Sequence, residues 1–368
     1  QLETDLFPVL FEMKRKGVRI DLDKAEVIKN DLHKQEKQLL QSIKKLSGTS
    51  VEIWAATSVA KAFDALQIPY NHTETGKPSF DKNFLSSHDS PLAQMVVKAR
   101  EINKARTTFI DSILKHSHRG RIHAEIHQMR SDQGGTVTGR FSYSNPNLQQ
   151  IPARNQIIGP LIRSLFIPEK GCKWGIFDYS QQEPRLIVHY AAMKTFSGAS
   201  KFVEAYQEEQ STDFHQLVAE MADIGRKQAK TINLGLFYGM GKGKLMSQLG
   251  VDQETATELL AAYHERVPFV KQLMNDTMNK AGKKGHLRTL LGRKCRFELW
   301  EPSNEWGSKA LPFKEAKEEY GGESMIKRAW TYKALNRLIQ GSAADQTKQA
   351  MVDLHKEGYT AHIQVHDE

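Results

Sequence analysis

Residues 226–239 read Arg226-Lys-Gln-Ala-Lys230-Thr-Ile-Asn-Leu234-Gly-Leu-Phe-Tyr238-Gly239. Arg226, Lys230, Leu234 and Tyr238 recur every four residues, so on a helix they form one slowly turning stripe. Two cations at a helix N-terminus oppose the macrodipole and stabilise an isolated helix poorly. The same cations, together with that positive end, suit a triphosphate, and an aromatic ring further along can cover a base or sugar. A surface-basic, core-apolar amphipathic helix would show the same pattern, so the stripe needs support from elsewhere in the chain.

Two stretches that carry a carboxylate supply it. In Trp174-Gly-Ile-Phe-Asp178, the residues Trp174, Ile176 and Asp178 share one strand parity, and Ala361, Ile363, Val365 and Asp367 repeat the arrangement. The alternation predicts strands over Lys173–Tyr179 and Tyr359–Glu368, each with an apolar face ending in an aspartate. A carboxylate that continues a buried face is costly unless it is paired, protonated or bound to a metal. One such Asp is ordinarily a strand-end or capping residue; two point to a shared site for an oxygen-seeking ion such as Mg²⁺. A third stretch, Thr138-Gly-Arg140-Phe-Ser142 followed by Asn145-Pro-Asn147-Leu-Gln149-Gln150-Ile-Pro152, sets Arg, Asn and Gln donors between turn formers. That composition suits contacts to a nucleic-acid backbone and base edges, and equally a polar loop.

Ahead of these motifs the texture is helical. Apolar residues at Ala25, Ile28, Leu32, Leu39, Ile43 and Leu46 predict a helix from Asp21 to Ser47. Those at Leu92, Met95, Val96, Ala99, Ile102, Phe109 and Ile113 predict a second from Leu92 to Leu114. Pro69, Gly76 and Pro78 between them suit a compact tip, so an antiparallel helix pair is expected. Lys98, Arg100, Lys104, Arg106, Lys115, Arg119 and Arg121 form a basic run that could be a solvated face or a track for duplex phosphates. After about residue 120 the pattern changes to short strands, Gly-rich turns and mixed helices, with a helical stretch from about Thr212 to Glu265. The class is therefore α/β or α+β, built on a helical arm.

At 368 residues, two or three structural units are expected. A hydrophobic share of 39% and a charged share of 26% describe a globular chain rather than a disordered or membrane-bound one. No apolar run reaches the roughly 18–20 residues of a membrane span, and no secretory leader opens the chain. Cys172 and Cys295 stand alone, which excludes CxxC zinc spacing and suits a reducing cytoplasm. A net charge of +9 favours a polyanionic partner. The chain opens on Gln1 and closes on Glu368 inside an alternating pattern, which reads as an internal stretch of a longer protein.

In this order and spacing the motifs resemble those of the family A DNA polymerases, the bacterial DNA polymerase I and phage replicative group. Pro8-Val-Leu with Gly17-Val18-Arg-Ile-Asp21 resembles the segment leading into the thumb, and Thr75-Gly76-Lys-Pro78-Ser79 the thumb tip. Thr138-Gly-Arg140 through Gln149 resembles the primer–template segment, and Asp178-Tyr-Ser-Gln-Gln-Glu183-Pro-Arg185 the first catalytic motif. The Arg226–Gly239 stretch resembles the nucleotide-binding fingers helix, and His366-Asp367-Glu368 the last catalytic motif.

The resemblance implies a right-hand fold: an antiparallel-sheet palm, helical fingers and a helical-hairpin thumb. Residues 1–120 would form the thumb, with a leading segment over 1–22. The palm would comprise 121–205 and 333–368, and the fingers 206–332. It further implies that Asp178 and Asp367 hold two Mg²⁺ ions, and that Arg226, Lys230 and His215 bind the phosphates of a deoxynucleoside triphosphate. Lys230 would also assist pyrophosphate departure. Leu234 and Tyr238 would line the nucleotide, Gly239 the template position, and Glu183 the space a ribose 2′-hydroxyl would need. Primer–template DNA would meet Arg140, Asn147, Gln149, Asn336, Gln340, His366, Lys104 and Arg106, with Glu368 in support. A monomer in the cytoplasm, or in a host's cytoplasm if phage-encoded, is expected; no motif identifies a processivity factor.

Four positions depart from the family pattern. Gln182 stands where an aliphatic residue is usual, and Pro184 where Leu is frequent. Tyr332 replaces a residue that is often basic, and Leu234 replaces Phe or Tyr. The competing readings are a single-subunit phage-type RNA polymerase, a metal nuclease and a non-catalytic DNA-binding module.

Overall fold

The computed structural model describes residues 1–132, 134–152, 155–238, 240, 242–305 and 307–368. Helices and short strands in ladders of two or three make up the fold, and the registered ladders below are antiparallel. The chain divides into two compact units. One comprises Gln1–Val9, His127–Ser142 and Ile176–Glu368, the other Leu10–Ile126 and Tyr143–Gly175.

In the unit that holds Leu10–Ile126, the Leu22–Ser47 helix starts where Asp21 accepts a hydrogen bond from the Lys24 amide at 3.0 Å. It stops at Gly48, whose left-handed backbone (φ 70°) lets its N–H reach the Lys44 carbonyl at 2.8 Å. Ala25, Ile28, Leu32 and Ile43 form its buried seam as the periodicity predicts, but Leu46 is exposed and Ser47 turns inward. The second helix runs Pro91–Lys104, continues through a π-helical segment Ala105–Ile110 and resumes at Asp111–His116. The wider π turn advances the seam, so Ile110 is buried and Phe109 only half-buried. Glu36 meets Asn103 and Arg106 while Lys29 meets Asp111, so the two helices run antiparallel. The segment between them folds over Phe63, which packs against Phe80 at 4.8 Å and against Tyr70, Phe84 and His88. Burying a ring or branched chain of this kind contributes about 1.5–3 kcal/mol each. Gly76 (φ 76°) turns the small hairpin Asn71–His72/Pro78–Ser79 at the tip.

The other unit is built on a core of Phe202, Phe214, Phe237, Phe269 and Tyr263. The helical stretch expected over Thr212–Glu265 is four helices: Phe214–Ala222, Arg226–Phe237, Lys242–Leu249 and Gln253–Arg266. Left-handed Asp223 (φ 51°) ends the first and Gly250 (φ 70°) follows the third. Helices Gln182–Ala192, Ala199–Glu208, Pro268–Lys284 and Ala334–Lys356 complete the frame. Short antiparallel ladders join His286–Arg288 to Lys294–Arg296 and Trp300–Pro302 to Ile326–Arg328.

The strands expected at Lys173–Tyr179 and Tyr359–Glu368 do not form as strands. Both stretches are irregular, and they touch where the Tyr179 amide donates to the Asp367 carbonyl at 3.1 Å. Trp174, Ile176 and Phe177 are exposed rather than buried. Alternation favours an extended backbone, but a strand exists only where a neighbour accepts its ladder, and the described residues supply none here. No helix among the described residues is long and apolar enough to cross a membrane.

Candidate active site

The Arg226–Phe237 helix begins at Gly225, whose amide is capped by the Gln228 side chain at 3.0 Å. Its inner face buries Ala229, Ile232, Asn233, Gly235 and Phe237, which leaves Lys230 exposed and Leu234 half-buried on the stripe. Arg226 is held by Asp213, which it contacts through Nε at 3.1 Å and again through a terminal nitrogen. Asp213 also caps the Phe214–Ala222 helix, accepting from the His215 and Gln216 amides at 2.8 and 3.1 Å. Burial pushes the Asp213 carboxyl up, but Arg226 and those two amides together hold it below its ordinary value.

His215 joins the same cluster. Burial lowers its pKa; Asp213 opposes that shift, while Lys230 and Arg226 reinforce it. Its Nδ1 lies 2.9 Å from the Asn233 amide, and Asn233 in turn receives the Tyr263 hydroxyl at 2.5 Å. The structure therefore brings Arg226, Lys230 and His215 together, as a triphosphate site needs.

Glu183 lies in the first turn of Gln182–Ala192 and is gripped from two sides. Arg140 donates to one carboxylate oxygen at 2.5 Å and the Tyr238 hydroxyl to the other at 2.9 Å. Burial of its hydroxyl and the adjacent Glu183 carboxylate push Tyr238 up to about 12, against a hydrogen bond from Gln340. Tyr238 as a whole is 40% exposed even with its hydroxyl engaged by Glu183. Arg140, Glu183, Tyr238 and Gln340 thus form one hydrogen-bonded group. Gln182, the departure beside Glu183, is buried. Its amide donates at 3.2 Å towards the Ala343 carbonyl, Gln346 and Thr347, which ties this turn to the Ala334–Lys356 helix. An aliphatic residue could not make that connection.

Asp178 and Asp367 lie close enough to repel. Burial first, and then the Asp367 charge, raise the Asp178 pKa above its ordinary value. A divalent ion suits a pair of carboxylates that repel one another in this way. Among the described residues no group of three His, Cys, Asp or Glu surrounds it. Three residues beyond Asp178, Gln181 anchors the turn: its amide donates to the Thr212 carbonyl at 2.7 Å and its oxygen accepts the Phe214 amide at 2.8 Å. That fastens the Asp178 turn beside the Asp213–His215 cap. His366 is exposed with a left-handed backbone (φ 60°), and Gln364 reaches its carbonyl at 2.6 Å. Glu368 closes the same turn, its amide donating to the Val365 carbonyl at 3.0 Å.

The remaining candidates are more scattered. Asn336 and Gln340 lie one turn apart on the Ala334–Lys356 helix. Asn147 and Gln149 lie in the unit that holds Leu10–Ile126, where the Asn147 side chain caps a short turn by accepting the Gln149 amide at 3.1 Å. Lys104 is exposed, but Arg106 is spent on Glu36 at 3.0 Å and Asp111 at 3.7 Å. Gly239 lies outside the described residues. Sequence reasoning missed Asn233 and Tyr263, because a polar group on an otherwise buried helix face carries no mark of its partner, and Gln181, whose partners Thr212 and Phe214 lie some thirty residues on. It also missed a buried charge network of Glu3, Arg293, Asp345 and Lys348. The signal for that was available: Asp345 and Lys348 sit one turn apart directly after a run of small residues, Gly341-Ser-Ala-Ala344.

A profile of DNA polymerase family A matches residues 22–368. The chain belongs to DNA polymerase family A. It is 35% identical over 418 residues to a DNA-directed DNA polymerase of Pseudomonas phage M6, covering 100% of this chain and 59% of that one. It is 30% identical over 388 residues to the thermostable DNA polymerase I of Thermus caldophilus, covering 100% of this chain and 43% of the relative. Among solved structures it resembles the POL domain of Pol1 from M. smegmatis in complex with DNA primer-template and dNTP. That match has a TM-score of 0.76 at 27% identity and covers 99% of this chain and 62% of that one. This family A chain therefore spans roughly half the length of the curated relatives it matches. Polymerases of the family are metal-dependent in general.

Proposed function

We propose that this chain carries the template-directed addition of deoxynucleotides to a primer 3′-hydroxyl. The observation that carries the reading is the pairing of two opposite clusters. Asp178 and Asp367 form a carboxylate pair in which the Asp367 charge helps raise the Asp178 pKa, while Arg226, Lys230 and His215 form a basic cluster at a helix start. Metal-assisted phosphoryl transfer needs both.

In this reading Asp178 and Asp367 would hold two Mg²⁺ ions, which when bound would supply activation of the primer hydroxyl and charge neutralisation at the triphosphate. Arg226 exchanges Asp213 for phosphate oxygens, and Lys230, exposed one turn on, stabilises charge on the departing pyrophosphate. Glu183 occupies the space beside the sugar 2′ carbon, and Leu234 and Tyr238 line the nucleotide. Arg140, Asn147, Gln149, Asn336, Gln340, His366 and Lys104 contact primer–template DNA, and Gly239 borders the template. Thumb, palm and fingers correspond to 1–120, to 121–205 with 333–368, and to 206–332. If the parent is phage-encoded, its place of action is the host cytoplasm.

Extension of a labelled primer on templates of different sequence tests the reading. Incorporation should follow the template, require a divalent ion and favour deoxynucleotides. Efficient incorporation of ribonucleotides would favour the RNA-polymerase reading instead, and template binding without any extension would favour a binding module.

A further inference from the structure

We propose that Asn233 and Tyr263 are positioning residues that fix His215 as the neutral Nε2–H tautomer, so that it meets the nucleotide's phosphates as a hydrogen-bond donor rather than as a cation. The inference rests on the reading of Arg226, Lys230 and His215 as the triphosphate site.

The argument begins with two side chains that are fully buried, Asn233 and Tyr263. The Tyr263 hydroxyl lies 2.5 Å from Asn233 Oδ1, and Asn233 Nδ2 lies 2.9 Å from His215 Nδ1. Carboxamide oxygen and nitrogen are nearly interchangeable in shape, so two arrangements must be weighed. In the first, Tyr263 donates to Oδ1 and Nδ2 donates to Nδ1, so Nδ1 is an acceptor and the ring proton sits on Nε2. In the second, the amide is turned over, Nδ2 donates to the Tyr263 oxygen, and Nδ1–H donates to Oδ1. The second leaves the Tyr263 hydroxyl proton without an acceptor among the described residues. An unsatisfied buried donor biases the balance by roughly tenfold or more towards the first arrangement.

The electrostatic surroundings agree. The charged groups facing the imidazole are Asp213 from its own helix start, and Arg226 and Lys230 from the neighbouring helix. The Gln253–Arg266 helix presents the neutral Tyr263. Asp213 is already engaged by Arg226, so an imidazolium would be a third cation beside two. A neutral ring with Nε2–H avoids that repulsion and still offers a donor. A neutral ring with Nδ1–H would turn a lone pair towards the phosphates. The relay therefore selects the only neutral form that can bind an anion.

Nitrogen-15 NMR of the histidine-labelled chain reads the tautomer without any reaction, with His215→Gln assigning the signal. From pH 6.5 to 8, Nδ1 should show the unprotonated shift and Nε2 the protonated one. A proton on Nδ1 in the unaltered protein would overturn the inference. In Asn233→Asp the carboxylate accepts both neighbours and draws the proton to Nδ1. The nucleotide KM of that variant should rise roughly tenfold as pH increases through the imidazole's raised pKa, while the unaltered protein stays level over the same range. A level KM in Asn233→Asp would contradict the proposal. Should that variant not fold, Tyr263→Phe keeps the packing and removes only the hydroxyl, and it should show both tautomers by NMR; a pure Nε2–H signal there would refute the role of Tyr263. An active polymerase with Nδ1–H defeats this inference alone, whereas the Nε2–H form in a protein that uses no nucleotide supports the tautomer and defeats the site reading.

Discussion

Glu183 is pinned by Arg140 and Tyr238, and on the proposed reading this double grip would hold its carboxylate as a wall beside the sugar. A flexible glutamate would swing aside for a 2′-hydroxyl; a clamped one cannot without breaking two hydrogen bonds. Glu183→Ala should therefore admit ribonucleotides and slow normal incorporation, and Tyr238→Phe, which releases one side only, should admit them less. Ratios of ribo- to deoxynucleotide incorporation check this, and unchanged ratios in both variants would move the gate elsewhere. Leu234, half-buried on the same helix stripe, has no hydroxyl to replace the missing 3′-hydroxyl of a dideoxynucleotide. The chain should reject such terminators, and Leu234→Tyr should relax the rejection by orders of magnitude, read as the dideoxy-to-deoxy incorporation ratio. Asp178 gives a pH prediction. Burial and Asp367 favour its protonated form in the folded state, so the fold gains from protonation as pH falls and is penalised at neutral pH. Protons and divalent ions compete for the same oxygens, so metal affinity should begin to weaken at a higher pH than an ordinary aspartate would dictate. Asp178→Asn should raise the ion-free Tm at neutral pH and remove the stabilisation that added Mg²⁺ confers, both measurable by thermal denaturation.

The helices show what a sequence can and cannot reveal. Apolar spacing located the helix that the structure places at Leu22–Ser47, because a 3.6-residue period is a local property. The π segment at Ala105–Ile110 carries no such mark in the spacing, and across it Ile110 is buried while Phe109 is only half-buried. The Asp178 and Asp367 stretches failed as strands for a related reason, since pairing needs a partner that alternation does not name. The basic run divides in the same way. Arg106 neutralises Glu36, which is 7% exposed, whereas Lys104 faces solvent. Arg106→Ala should lower stability by about 3 kcal/mol, since it leaves a buried carboxylate without its cation. Lys104→Ala should leave stability unchanged and flatten the salt dependence of DNA affinity by roughly one unit. Denaturant titration and binding at several salt concentrations separate the two. A salt slope unaltered in Lys104→Ala would return that residue to a merely solvated face.

Across the whole chain, the motifs were legible in order, but the contacts that hold them were not. Glu3 bonds Lys348 at 2.8 Å across nearly the entire sequence, and Arg293 bonds Asp345 at 2.7 Å in the same network. Lys348 also donates to the Gln128 carbonyl at 2.9 Å, and a side chain at Gly139 would strike Arg293. These buried charges thus underlie the Thr138–Arg140 turn, one residue from the Arg140 grip on Glu183. Nothing in composition or spacing pairs residue 3 with residue 348; only folding does. The two aspartates pose the same difficulty, yet the structure sets them close enough to raise the Asp178 pKa. Their joint hold on metal is the central claim, and single-turnover primer extension by Asp178→Asn and Asp367→Asn, with primer–template affinity measured in parallel, tests it most directly. Each variant should extend several orders of magnitude more slowly while binding DNA nearly as well as the unaltered protein; near-normal extension by either one would contradict the account.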